Sequence, residues 1–185
     1  CIDRLEGTLA GYQRHNIITA CAAADYLAEQ TPLTISRRAF REGLAMTAAS
    51  TGLRGRWQVI SREPYIVCDT GHNADGMHYV VEQLKQLECD RLFCVIGFAK
   101  EKSLDKIMPL LPSKAHYIFT RAEVERARAV EDIVVMAEKL GLTFETMPTV
   151  REAVARAKSL ALASDAIFIG GSNFIVAEVE ELFEK

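Results

Sequence analysis

An aspartate, a histidine and an asparagine stand close together in DTGHN (69–73), directly after the apolar run YIVC. A carboxylate only accepts hydrogen bonds, and its lone pairs suit the paired hydroxyls of a sugar. Asn73 stands where a helix should begin, so capping alone would explain it, with Asp75 placed favourably at the positive end of that helix. His72 is a polar ring in a glycine-preceded turn and has no obvious packing task, although a surface turn would also accommodate it. A second stretch, GGSN (170–173), closes the run DAIFI in the same way. Its two glycines suit either a tight turn or the close approach of a ligand, and Ser172 or Asn173 opens the final helix. No GxGxxG or GxxxxGK[ST] pattern occurs, so any nucleotide phosphates must be gripped elsewhere.

Chemistry of this kind needs a frame, and the chain supplies a regular one. WQVI, YIVCD, RLFCVIGF, AHYIFT, LTFET and DAIFIGG are short runs rich in Val, Ile, Phe and Tyr, as in strands. Between them the stretches 74–88, 103–111, 130–140, 149–163 and 173–184 carry apolar residues at helical spacing, for example Val80, Val81, Leu84 and Leu87. This alternation predicts an α/β fold, a doubly wound, mainly parallel Rossmann-like sheet from about residue 50 to 185. In such a sheet ligands lie beyond the carboxyl ends of the strands, which puts DTGHN and GGSN on one rim. Before residue 50, a buried helix is expected from Asn16 to Leu27. Pro32 separates it from a second helix, capped by Thr34 or Ser36 and running to about Ala49.

The 185 residues carry a net charge of -3, with 49% hydrophobic and 25% charged residues. That balance lacks the basic surplus of a nucleic-acid binder. No apolar window approaches the roughly twenty residues of a membrane span, and no secretory signal is visible, which points to a cytoplasmic protein without a membrane partner. Cysteines at 1, 21, 68, 89 and 94 are odd in number with no CxxC, and histidines at 15, 72, 78 and 116 are scattered, so neither a disulfide framework nor a zinc site is expected. The chain opens on Cys1 in what reads as a segment already in progress, the expectation being a piece of a longer enzyme.

GYQRHN, GRWQVI and DTGHNADG, in this order, resemble the folylpolyglutamate synthase and dihydrofolate synthase family, relatives of the Mur peptide ligases. The resemblance covers essentially the whole chain. The family's Gln-x-x-Asn helix, Pro-Gly-Arg strand, Asp-Gly-Ala-His-Asn-Pro turn and late Gly-Ser turn correspond to Gln13–Asn16, Gly55–Arg56, Asp69–Asn73 and Gly171–Ser172. Thr70, Gly71 and Ala74 depart from that pattern, as do Leu53 and Arg54 where Trp-Pro is common. After Gly97 the usual Asp-Lys-Asp becomes Glu101, Lys102 and Ser103.

The resemblance implies that residues 1–49 end a central ATP-binding domain and that 50–185 form a C-terminal Rossmann-like ligase domain. It implies ATP contacts at Asn16 near the adenine, Arg56 on the nucleotide and Asp69 on the ribose, with Asn73 in the same turn. Arg offers a planar fork of donors and suits such a role. The implied reaction uses ATP to phosphorylate a carboxylate of folate or dihydropteroate. The amine of L-glutamate then attacks the acyl phosphate, giving an amide, ADP and phosphate. Mg²⁺ is expected, its ligands mostly upstream together with the main catalytic residues, which would leave the isolated chain inactive and monomeric. His72, Lys102 and Ser172, each in a turn after a strand, are the candidates for glutamate. A Mur-type ligase acting on a cell-wall precursor, and a stand-alone nucleotide-binding module, are the alternatives; GYQRHN and GRWQV favour the folate branch.

Overall fold

The computed structural model describes residues 13–182; the opening residues and the end of the expected 173–184 helix lie outside them. The chain divides into two compact units between Arg56 and Trp57.

The first unit contains α1 (Gln13–Gln30), α2 (Arg37–Ala45) and α3 (Thr47–Thr51). Ser36 caps α2, its Oγ accepting from the Ala39 N–H at 3.1 Å. The helix expected to reach Ala49 breaks at Met46 and resumes as α3, which Gly52 ends in the left-handed conformation at φ +69°. The expectation that Asn16–Leu27 is a buried helix is corrected. It is helical, but Ile17 is its buried apolar residue while Ile18, Tyr26 and Leu27 are exposed. The apolar residues of α1 are spread round the helix and form no stripe, so no single packing partner could cover them.

The second unit is a six-stranded sheet in the order β1-β2-β6-β3-β4-β5. Its strands are β1 (Gln58–Arg62), β2 (Tyr65–Asp69), β3 (Leu92–Ile96), β4 (His116–Phe119), β5 (Thr143–Thr146) and β6 (Ala166–Gly170). β1 pairs antiparallel with β2 at one edge, and the other four pairings are parallel. Helices α4 (Ala74–Leu84), α5 (Leu104–Ile107), α6 (Val130–Lys139), α7 (Val150–Leu160) and α8 (Asn173–Ala177) fill the intervals.

Period-two alternation in the central strands builds both cores. Val67, Cys94 and Phe168 point to one face, where Met77, Ile107 and Ile133 of α4, α5 and α6 cover them. Ile66, Cys68, Val95, Ile167 and Ile169 point to the other face, against Val150 and Val154 of α7 and Ile175 of α8. The chain advances from β2 through β3 and β4 to β5, then returns to place β6 between β2 and β3. Right-handed crossovers in opposite directions must lie on opposite faces, which is why α7 sits across the sheet from α4–α6. Burial pushes the Cys68 thiol up to about 12 and raises that of Cys94 as well, so both act as small apolar core residues rather than nucleophiles.

Three helix boundaries differ from expectation for local reasons. The 103–111 stretch is a single turn of α5 followed by a 3-10 turn, Met108–Leu110, because Pro109 cannot donate the next helical bond. The 74–88 stretch closes at Leu84. The 173–184 stretch is the short α8 followed by a 3-10 turn at Glu180–Leu182. β1 begins at Gln58 rather than Trp57, which has a positive φ of 47°.

At the amino ends of the parallel strands, Asp165 ties the sheet together. Its carboxylate is 1% exposed and takes a fork of bonds from Arg91, Nε to Oδ1 at 3.2 Å and Nη2 to Oδ2 at 2.6 Å. Its Oδ2 also accepts from the Leu162 N–H at 2.7 Å, while its carbonyl accepts from the Tyr65 N–H. The Arg91 hydrogen bonds, followed by the Leu162 N–H, hold its carboxyl below the usual carboxylate range. Asp165→Asn should therefore destabilise the folded chain by about 1–3 kcal/mol at neutral pH. Because the folded-state pKa lies below the unfolded one, this contribution is present above about pH 4 and disappears as pH falls through the folded value. Urea titrations of both proteins across that range should show the gap closing in acid.

Candidate functional site

The sheet register brings the carboxyl ends of its strands into one line, Asp69 opposite Gly170, Gly170 opposite Ile96, and Ile96 opposite Phe119. β2 and β3 hand the chain to helices on one face and β6 hands it to the other, so the direction of exit reverses at β6, the kind of switch point at which open α/β sheets take ligands. Glycines permit the crowding. A Cβ on Gly170 would lie 2.6 Å from the Asp69 carbonyl, and one on Gly97 would lie 2.4 Å from the Thr120 carbonyl. Gly171 has φ +85°, and its Cβ would meet the Gly97 carbonyl at 2.8 Å.

Asp69 ends β2 and is 1% exposed. Its Oδ1 accepts from the Gly71 N–H at 2.7 Å, which shapes the DTGHN turn. Its Oδ2 accepts from the Trp57 N–H at 2.8 Å, which anchors the left-handed entry to β1. The carboxylate thus joins the first two strands of the sheet at the rim.

His72 is half-buried, with its Nδ1 2.9 Å from the Thr70 carbonyl. A carbonyl partner requires Nδ1 to carry the proton, leaving Nε2 as the other polar atom of the ring. Asn73 caps α4, its Oδ1 accepting from the Gly76 N–H at 2.7 Å, so the capping alternative describes this carbonyl and leaves the exposed amide NH₂. Ser172 is buried and caps α8, its Oγ accepting from the Phe174 N–H at 3.2 Å. DTGHN and GGSN therefore follow neighbouring strands at the same rim of the sheet. Lys102 is half-buried in the loop after β3, the strand on the far side of β6.

Asn16 and Arg56 belong to the first unit. Asn16 is exposed on α1 and its Nδ2 donates to Gln13 Oε1 at 2.9 Å, so the two amide side chains of GYQRHN brace one another. Arg56 is exposed in a bend rather than in a strand, because Gly55 before it and Trp57 after it both have positive φ. Among the described residues, no group of three or more His, Cys, Asp or Glu side chains is arranged to hold a metal ion, and no helix is long and apolar enough to cross a membrane.

Residues 55–173 match the family model of the Mur ligase glutamate ligase domain. The chain belongs to that family. Among its relatives, a probable bifunctional folylpolyglutamate synthase/dihydropteroate synthase of Haloferax volcanii is 30% identical over 86% of this chain. The structure of Escherichia coli FolC in complex with ADP is 29% identical over 91% of this chain, with a TM-score of 0.74. The Mycobacterium tuberculosis folylpolyglutamate synthase complexed with ADP shares the fold at a TM-score of 0.81 and 24% identity over 96% of this chain. The chain spans 20% of the length of the first of these proteins, 38% of the second and 41% of the third. The fold of this family is the mostly parallel sheet described above, and the likeness to folylpolyglutamate and dihydrofolate synthases read from the three motifs agrees with these relatives.

Two arginines escaped the sequence reading. Arg126 pairs with Glu101 and lies over the Phe174 ring, 5.4 Å from its centre. Arg128 donates to carbonyls of the 100–102 loop. ERARA carries no recognisable motif, and only the fold brings these side chains to the rim. A bond from its own backbone N–H, followed by the bond from Arg126, holds the Glu101 carboxyl below its usual range.

The close approach at the strand ends sets a measurable expectation. Gly97→Ala forces the Thr120 backbone to move, whereas Gly141→Ala, at φ +65° with open space round its Cβ, carries only the conformational penalty of about 1 kcal/mol. Chemical denaturation should find Gly97→Ala the more destabilising of the two.

Proposed function

We propose that this chain is the glutamate ligase portion of an ATP-dependent enzyme that joins L-glutamate to folate or dihydropteroate through an acyl phosphate, releasing ADP and phosphate. The observation that carries the reading is the switch point at β6, where two turns with hydrogen-bonding side chains leave neighbouring strands whose exits take opposite faces. The ADP complex of the E. coli relative supports a nucleotide in the reaction. In this reading residues 1–49 end a central ATP-binding domain and 50–185 form the ligase domain. The phosphate loop and the Mg²⁺ ligands lie upstream, since the described residues contain neither a phosphate loop nor a clustered metal site. The isolated chain would then be catalytically inactive, and the full protein a cytoplasmic monomer.

Mg²⁺, held by the upstream part, supplies charge neutralisation at the transferring phosphoryl group. This chain's residues bind and orient. Asn16 and Arg56 contact the adenine end and the nucleotide, and Asn73 offers its amide NH₂ to a ligand at the end of β2. Asp69 accepts from the ribose hydroxyls, its carboxylate oriented by the Gly71 and Trp57 N–H groups. At 1% exposure, the carboxylate receives a sugar only as the chain around it opens. His72, Lys102 and Ser172 hold the carboxylates of the incoming glutamate, so that its amine faces the acyl phosphate. Their contribution is proximity, not acid or base chemistry.

Kinetics on the full-length protein separate these roles. Asp69→Asn removes the charge and turns one of the two oxygens that hold the Gly71 and Trp57 N–H groups into a donor, so it should lower stability and raise the KM for ATP by about 10- to 100-fold, the range of a lost charge-assisted hydrogen bond. An unchanged ATP dependence would remove the ribose role.

His72→Ala and Ser172→Ala should instead raise the KM for glutamate by a similar factor at saturating ATP and folate. For Ser172→Ala, a stability loss of about 1 kcal/mol from the missing cap is expected as well. Both variants keeping a normal glutamate response while losing ATP affinity would assign the rim to the nucleotide instead.

A further inference from the structure

Beyond the carboxyl ends of β3 and β4 the chain builds a second, miniature ladder. Ala99 bridges Ala127 in antiparallel fashion. The Arg128 N–H donates to the Phe98 carbonyl at 2.8 Å, and the Lys100 N–H donates to the Arg126 carbonyl at 2.9 Å. This pairing fixes where the Arg128 side chain starts. Its guanidinium then reaches back across the ladder, where Nη2 donates to the Lys102 carbonyl at 2.7 Å and also to the Lys100 carbonyl. Nη1 lies 3.4 Å from Asp132 Oδ2 on the first turn of α6. The side chain is only 18% exposed, although the loop it holds is mostly open to solvent: Lys100, Glu101 and Ser103 are all exposed.

A guanidinium presents several donors in a fixed plane, so two carbonyls two residues apart are held in one curvature. A lysine ammonium, with its donors radiating from one atom, would not impose that curvature. The loop receives one further constraint from inside, the bond from the Lys102 N–H to the Ala99 carbonyl at 3.1 Å. Lys102 and Arg128 share the wall of an open cleft of about 330 Å³ between the starts of α5 and α6, with Ser103, Asp105 and Asp132. Pinning an exposed loop adds little to global stability, because few apolar contacts depend on it. It does decide where the base of the Lys102 side chain stands.

We infer that Arg128 is a positioning residue for Lys102, and that by setting the curvature of the 100–102 loop it sets the affinity for the carboxylate of the incoming amino acid. This inference rests on the reading of Lys102 as a glutamate partner. Arg128 itself touches the loop backbone and Asp132; the substrate belongs to Lys102.

Three variants of the full-length protein, Lys102→Met, Arg128→Gln and the double variant, test the chain of cause. Each single change should raise the KM for glutamate by about tenfold, with the KM for ATP within about twofold of the parent. The double variant should match Lys102→Met alone, since a positioning residue has nothing left to position. Arg128→Lys should fail to restore the parent KM. Hydrogen exchange should quicken at 98–103 in Arg128→Gln, with the β-sheet amides unchanged. A normal glutamate KM in Lys102→Met overturns the glutamate reading of Lys102 itself. A raised KM in Lys102→Met but not in Arg128→Gln overturns this inference alone, and so do strictly additive effects. Loss of folding in both Arg128→Gln and Arg128→Lys would make Arg128 a residue of the fold and also overturn it.

Discussion

The position of β6 between β2 and β3 is the constraint on which the rest depends. A parallel strand inserted there must receive its chain from the far edge of the sheet and send it out to the opposite face from its neighbours. Two consequences follow without any reference to ligands. The exits take opposite faces at the carboxyl ends of the three strands, and the segments there pass so closely that Gly97, Gly170 and Gly171 have no room for a side chain. The Asp69 carboxylate then closes the structure on the β1 side by holding the Gly71 and Trp57 amides. Packing creates the switch point, and polar turns furnish it.

Two polar groups at this rim are held by capping: Asn73 caps α4 with its oxygen, and Ser172 caps α8 with its hydroxyl. In the proposed reading these bonds would fix the side chains before a ligand arrives, which would lower the entropy lost on binding. The loop after β3 lacks such a local cap: the Ser103 side chain makes no capping bond to α5. Order there comes from a distance, through Arg126, Arg128 and the short Ala99–Ala127 bridge.

The sequence made the strands legible because each is a compact apolar run ending at a polar or glycine residue, as at Asp69, Gly97 and Gly170. Asn73 and Ser172 announced helix starts for the same reason, a short side chain that can accept from a nearby amide. What stayed hidden was non-local. Nothing in GRWQVI shows that Trp57 adopts φ +47°, a conformation supported by a carboxylate twelve positions further on. Nothing in ERARAV shows that Arg128 grips carbonyls 26 and 28 residues earlier. The buried reading of α1 failed because density of small and apolar residues was taken for a face, and Ile17 alone does not make one.

The central strand is also the last strand among the described residues. A ribosome releases β2 and β3 long before Ala166–Gly170, and these two strands pair with β6, not with each other. During synthesis the sheet therefore exists as two separate halves, the β1-β2 hairpin and the β3-β4-β5 group, each with an apolar edge awaiting the same partner. Closure is a late, long-range event, of the kind that slows folding and exposes nascent edges to other chains. The residues of the rim come together only at that step, so the site and the finished fold arrive at the same moment.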